Sequence, residues 1–104
     1  MIEICEYITP NGKSPFGEWL LNLRDKKAKA KILTRLNRVA VGHFCDHKYL
    51  RDGMYELRLS YANIRIYYGK EGNTVILLLC SAKKSNQCQD IKRAVKYWFE
   101  HTGE

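Results

Sequence analysis

The sequence has no long apolar run. Its longest, Val75 to Cys80, has the length of a strand, whereas a membrane-crossing helix needs about 20 apolar residues. A secretion signal is also missing, because Met1-Ile2-Glu3-Ile4-Cys5-Glu6 carries acids where such a signal carries cations. A cytoplasmic location is therefore expected. Cysteine is scarce and badly spaced for metal. The four stand at 5, 45, 80 and 88, with no C-x-x-C pair and no His-x-x-x-His beside them, which argues against a zinc site. Without export, disulfides are not expected, and Cys5 and Cys80 fall inside apolar strand patterns as small buried hydrophobes. No G-x-G-x-x-G, P-loop or G-x-S-x-G is present, so the loops that cradle nucleotides or present a nucleophilic serine are excluded. His43, His47 and His101 are isolated, and no carboxylate pair has the spacing of an acid–base couple. No metal and no cofactor is expected.

Acid is the other shortage. Eighteen Lys and Arg face eleven Asp and Glu, leaving a net charge of +7 and a pI near 9.3. That balance favours a polyanionic partner: nucleic acid, an acidic protein or an anionic membrane surface. The absence of a spanning segment weakens the membrane option. At 104 residues, with no low-complexity stretch and no room for a repeat, one domain spanning 1–104 is the expectation.

Periodicity supplies the elements. Ile2 to Tyr7 reads as a strand, and Thr9-Pro10-Asn11-Gly12 as a turn. Ser14-Pro15 starts a helix, with serine as the cap and proline pre-set at the first helical position; Phe16, Trp19, Leu20 and Leu23 follow at helical spacing. Asp25 caps a second helix whose stripe is Ala28, Ile32, Leu36 and Val39, stopped near Gly42. Phe44 to Asp52 is mixed and loop-like, and Asp52-Gly53 is a turn signal. Met54 to Leu59 and Ile64 to Tyr68 alternate around the turn Tyr61-Ala62-Asn63. Thr74 to Ala82 is a nearly continuous apolar run, as in a central strand covered on both faces. Asn86 to Thr102 reads as a final helix with Ile91, Ala94, Val95, Trp98 and Phe99 in its stripe. The expected fold is α+β: a small antiparallel sheet in the order β-α-α-β-β-β-α, flanked by an N-terminal helical hairpin and a C-terminal helix.

Two basic features stand out. Lys26, Lys27, Lys29, Lys31, Arg35 and Arg38 crowd the second helix. They form either an electrostatic footprint for nucleic acid or an ordinary solvated helix face. On the meander, Tyr55, Leu57, Leu59, Ile64, Ile66 and Tyr68 fall on one side, and Glu56, Arg58, Arg65 and Tyr67 share the other. Side chains on strands about 4.8 Å apart can converge on one phosphate; the plainer reading is a pair of Glu56 and Arg58 across an exposed sheet face. Lys83 and Lys84 end the last strand, and Ser85-Asn86-Gln87 opens the last helix, where free N–H groups attract anions.

These segments carry a resemblance. Gly53-Met54-Tyr55-Glu56-Leu57-Arg58, Arg65-Ile66-Tyr67-Tyr68, Ile76-Leu77-Leu78-Leu79, and Lys83-Lys84-Ser85-Asn86-Gln87 followed by Asp90-Ile91 and Ala94 resemble the phage-derived Gp49-like, HigB-like branch of the RelE/ParE toxin superfamily. The opening strand with its Phe-x-x-Trp-Leu helix is similar to that branch as well. The resemblance implies a RelE-like fold and the toxin of a type II toxin–antitoxin module. It implies an endoribonuclease that cleaves mRNA on translating ribosomes without metal, with a helix-turn-helix antitoxin as partner and a heterotetramer with it as an expected assembly. It also implies alternatives: a ParE-like inhibitor of DNA gyrase, or a basic RNA-binding domain without catalysis. On residues, it implies Arg58 and Arg65 as holders of the scissile phosphate, Lys84 as the basic group after the last strand, and Lys48, Lys83, Glu56 and Gln87 as RNA contacts. The C-terminal tyrosine that some RelE proteins use as acid or base has no match here; Tyr67, facing with Arg65, is the substitute.

Overall fold

A computed structural model of the chain describes residues 1–82 and 86–103. Its elements are β1 (Glu3–Glu6), α1 (Pro15–Leu21), α2 (Lys26–Ala40), β2 (His47–Arg51), β3 (Met54–Arg58), a short 3₁₀ turn (Tyr61–Asn63), β4 (Arg65–Glu71), β5 (Thr74–Ser81) and α3 (Gln87–Thr102). They make one five-stranded sheet in the order β1-β5-β4-β3-β2.

The helices start where the capping residues put them. Ser14 Oγ accepts from the Gly17 amide at 2.9 Å and Asp25 Oδ1 from the Ala28 amide at 3.0 Å. Each thereby satisfies one of the donors that a helix leaves free at its N-terminus. Gly103, with φ +81°, ends α3 in the left-handed conformation that glycine adopts without steric cost.

The meander β3-β4-β5 is antiparallel, as expected. The sheet extends beyond it at both edges. β1 pairs parallel to β5, Glu3 opposite Thr74 through Glu6 opposite Leu77, because the α1–α2 hairpin carries the chain away before the sheet resumes. At the other edge, the segment 44–52 read as loop contains β2, antiparallel to β3. Its residues alternate no apolar face, since an edge strand buries little, and all but Leu50 are exposed. Asp52 and Gly53 both have positive φ, +50° and +83°. This is the geometry of a two-residue hairpin turn that matches strand twist.

Helices cover both faces. On one, α1 and α2 pack Phe16, Ala28, Ile32 and Val39 against Leu57, Ile64, Ile66, Tyr68, Val75, Leu77 and Cys80. On the other, α3 lays Ala94 and Trp98 over Met54, Tyr67, Ile76, Leu78 and Leu79. A register shift between Tyr67 and Tyr68 lets both Leu78 and Leu79 serve the α3 side. Trp98 is the central contact of that layer. Its Nε1 donates to the Asp52 carbonyl at 2.7 Å, and its ring lies so close to Gly69 that a Cβ there would overlap it. Gly69→Ala is therefore expected to lower the unfolding free energy by roughly 1–3 kcal/mol, read as a shift of the urea midpoint at constant slope. An unshifted midpoint would mean that the indole does not rest on β4.

Candidate nucleic-acid interface

The side of the meander that carries Glu56, Arg58, Arg65 and Tyr67 is not an open sheet face. Helix α3 roofs most of it, and among the described residues the end where β3 stops and β4 begins stays accessible. Tyr67 is fully buried, at 0 % exposure, and Glu56 is at 2 %. Arg58 and Arg65 stand directly opposite each other in the β3–β4 register, and their side chains are 43 % and 14 % exposed.

Glu56 organises the pair from below. Its Oε1 lies 3.5 Å from Arg65 Nε and its Oε2 3.9 Å from Arg58 Nε. Gln87, in the first turn of α3, donates Nε2 to Oε1 at 3.4 Å. A carboxylate this deep would be costly alone, so two guanidiniums and an amide close around it. Both Nε atoms are themselves buried without a hydrogen bond of good geometry among the described residues. The Nη ends of the planar forks lie beyond them, and such forks match the oxygens of a phosphate.

Two further residues shape this corner: Asp46, unmarked in the sequence, and Arg35, read there only as one of the six cations of the second helix. Asp46 Oδ1 accepts from Arg58 Nη2 at 2.9 Å. Arg35 is not a free charge of the α2 face: its Nε, Nη1 and Nη2 donate to the carbonyls of Phe44, Arg58 and Asp46 at 3.2, 3.0 and 2.7 Å. One side chain thus ties α2 to the β2 approach and to the end of β3. The Arg58 amide also donates to the Asp46 carbonyl at 3.0 Å. The signal available in the sequence was only the i, i+3, i+4 placement of Arg35 against the apolar stripe at Ile32, Leu36 and Val39.

The other expected residues are distributed around this centre. Lys48 is exposed on the edge strand and opposite Glu56 in register, so it stands on the same face at the rim. Gln87 lies against Glu56 as described. Lys83 and Lys84 lie outside the described residues. Tyr67 sits beside Glu56 and Ser81 with its hydroxyl buried and without a well-formed hydrogen bond among those residues. Burial, then the negative charges of Glu56 and Asp90, push its pKa up to about 12. It is a neutral phenol at ordinary pH, enclosed where substrate contact would require α3 to shift. Among the described residues no cluster of three or more His, Cys, Asp or Glu could hold a metal, and no helix is long and apolar enough to cross a membrane.

With this geometry, comparison with known proteins gives a consistent result. Residues 18–96 match the family model of the phage-derived protein Gp49-like family (DUF891). The chain belongs to that family. An uncharacterized protein of Haemophilus influenzae (strain Rd) is 40% identical over 80 residues, 76% of this chain and 81% of that protein. A chain in the crystal structure of the heterotetrameric YoeB–YefM toxin–antitoxin complex from Staphylococcus aureus has the same fold. It superposes with a TM-score of 0.57 at 18% identity, over 80% of this chain and 98% of that one. The Gp49-like resemblance carried by the meander and the start of the last helix is thereby borne out, as is the α+β fold.

Two measurements test the corner and its buried phenols. Arg35→Lys keeps the charge but presents one ammonium where three carbonyls need a fork. It is expected to cost about 1–3 kcal/mol in chemical denaturation and to shift the amide resonances of 44–46; unchanged shifts would remove Arg35 from this role. In an absorbance titration of the phenols, Tyr7 and Tyr67 should ionise near 12 rather than 10, with Tyr68 higher still because of its burial. Since the folded state holds protons that the unfolded chain releases, stability is full below about pH 10 and falls as pH rises through about 12. Ionisation of all seven tyrosines near 10 in the still-folded protein would contradict that burial.

Proposed function

We propose that the protein is the toxin of a type II toxin–antitoxin module and an endoribonuclease that cleaves mRNA on translating ribosomes. The observation that carries this reading is the cross-strand pair Arg58 and Arg65, held over a buried glutamate at the open end of the sheet. Two guanidinium forks side by side suit the phosphate of a nucleic-acid backbone, and they stabilise the extra charge that develops on it during displacement. The family, the toxin–antitoxin fold and the excess of basic residues support the same reading.

In the reaction proposed, a ribose 2′-hydroxyl attacks the adjacent phosphorus. The new 2′-O–P bond forms as the P–O5′ bond breaks, leaving a 2′,3′-cyclic phosphate and a 5′-hydroxyl end. A base takes the 2′ proton and an acid supplies one to the departing 5′ oxygen. Arg58 and Arg65 hold the phosphate, and Glu56 orients both arginines. Enclosure beneath α3 argues against Glu56 or Tyr67 as the proton carrier; Lys48 at the rim and Lys84, which the sequence places after the last strand, are the remaining candidates. Asp46 shares Arg58 with the incoming phosphate, so binding must displace or share that 2.9 Å contact. An antitoxin is the proposed partner, by analogy with the toxin–antitoxin complex whose chain shares the fold; a helix-turn-helix in it is what the Gp49-like resemblance implies.

Induced expression of the chain without an antitoxin should arrest growth and produce discrete RNA 5′ ends inside translated codons. Arg65→Ala should abolish both, with a loss of cleavage of about 100-fold or more if the arginine stabilises the transition state. RNA cuts undiminished in Arg65→Ala would remove the site. Linearised DNA without RNA cuts would instead indicate a gyrase poison.

A further inference from the structure

The charges of α2 divide into two sets with different surroundings. Arg35 is consumed by three carbonyls. Lys27, Lys31 and Arg38 are exposed, and no carboxylate pairs with them among the described residues. With Thr34 they fall at i, i+4, i+7 and i+11, one continuous stripe. The stripe runs about 16 Å along the helix. Across from it lie Leu59, Ser60 and Tyr61, and the two sides enclose a groove of about 440 Å³. Lys27 Nζ and Lys31 Nζ stand 5.6 and 5.5 Å from the centre of the Tyr61 ring. The Tyr61 hydroxyl donates to Asp25 Oδ2 at 2.9 Å, which also occupies the nearest carboxylate. Its lining combines the cations Lys27, Lys31, Arg35 and Arg38 with the hydroxyls of Thr34, Ser60 and Tyr61 and the apolar Ala30 and Leu59. Among the described residues no acid lines it, and Asp25 beside it is committed to the tyrosine and to the helix cap.

Its position is as informative as its charge. The chain leaves Arg58 and enters the groove within one residue, and Arg35 bonds the Arg58 carbonyl from the groove side. Helix α2 packs on the face opposite α3. The arginine pair and the groove therefore flank the same end of the sheet from its two faces.

We infer that this α2 groove is a second nucleic-acid contact, taking the phosphate backbone of single-stranded RNA that continues around the sheet end from Arg58 and Arg65. Lys27, Lys31 and Arg38 neutralise successive phosphates, and Thr34 and Ser60 offer hydroxyl donors between them. The inference holds whether or not the chain cleaves what it binds. An acidic protein segment is the rival occupant, and the groove's hydroxyls and length favour the regular charge spacing of a nucleic-acid backbone.

The test uses the full chain and a fully 2′-O-methylated RNA oligonucleotide, which binds but offers no 2′-hydroxyl. Fluorescence anisotropy is measured across a salt series. Lys27→Glu with Lys31→Glu should weaken binding about tenfold or more at low salt and lower the slope of log K against log salt by about 1.4, the share of two phosphate contacts. The charge-matched variant Lys26→Glu with Lys29→Glu, on the same helix outside the groove, should lose much less. Lys27→Gln with Lys31→Gln repeats the measurement without charge reversal, and circular dichroism confirms that each variant is folded. Equal losses in the two double variants would overturn the groove in favour of net charge alone, as would an unchanged slope. Binding of a polyglutamate peptide that is lost in the groove variant while RNA binding persists would assign the groove to an acidic protein. Retained groove binding with no cleavage of unmodified RNA would leave this inference standing and remove only the nuclease.

Discussion

Glu56 is a carboxylate in the middle of a sheet with a helix laid over it, and the local architecture follows from what that requires. A buried anion must have cations and donors within reach or it destabilises the fold. Here the requirement is met from three directions: Arg58 along its own strand, Arg65 across the β3–β4 register, and Gln87 from the first turn of α3. Each tie fixes something else. The two arginines are drawn over one carboxylate, so their forks are positioned before any ligand arrives. Gln87 locates the start of α3, and α3 in turn determines how much of the sheet face is roofed. The corner that remains open is defined by the same charge that the core had to accommodate.

The roof explains why the division of the meander into an apolar side and a chemical side was half right. Alternation assigned Tyr55, Leu57, Leu59, Ile64, Ile66 and Tyr68 to a core; the last five are buried there, and Tyr55 packs against them partly exposed. It also put Glu56 and Tyr67 together on the opposite side. What alternation does not encode is that this second side is itself a core, because the amphipathic stripe of α3 must be buried against something. Ala94 and Trp98 take the space above Tyr67 and Met54, and Gly69 is the position where β4 yields to the indole. A tyrosine that looked like an available proton donor is thereby converted into a packing residue with an elevated pKa.

Strand β2 and residue Asp46 were illegible for a related reason. Edge strands carry no two-sided hydrophobic demand, so His47 to Arg51 has no period for a reader to detect. The informative part was the Asp52-Gly53 pair, whose two positive φ values presuppose a strand on each side. Asp46 could not be found by spacing at all. It reaches Arg58 because Arg35 holds its carbonyl and because Cys45 turns the chain with φ +58°. That is a tertiary arrangement with no local sequence signature. The caps at Ser14 and Asp25, by contrast, depend only on a side chain and an amide three residues on, and these were readable directly.

The same distinction governs the charge of the chain. A net charge of +7 does not say which cations are available to a partner. Arg35 belongs to a row of six on α2 and is spent on three backbone carbonyls. Arg58 is shared between Glu56 and Asp46, and Arg65 leans on Glu56. Taken together, Arg58, Arg65, Glu56 and Asp46 sum to zero, so in the proposed role this quartet would orient a phosphate through the guanidinium forks rather than draw it in by charge. Long-range attraction would come from cations outside that quartet that no carboxylate holds among the described residues: Lys48 at the rim, and Lys27, Lys31 and Arg38 on the neighbouring face. The proposed division is between capture by those cations and positioning by the arginine pair. It follows from where the acids of the fold are spent.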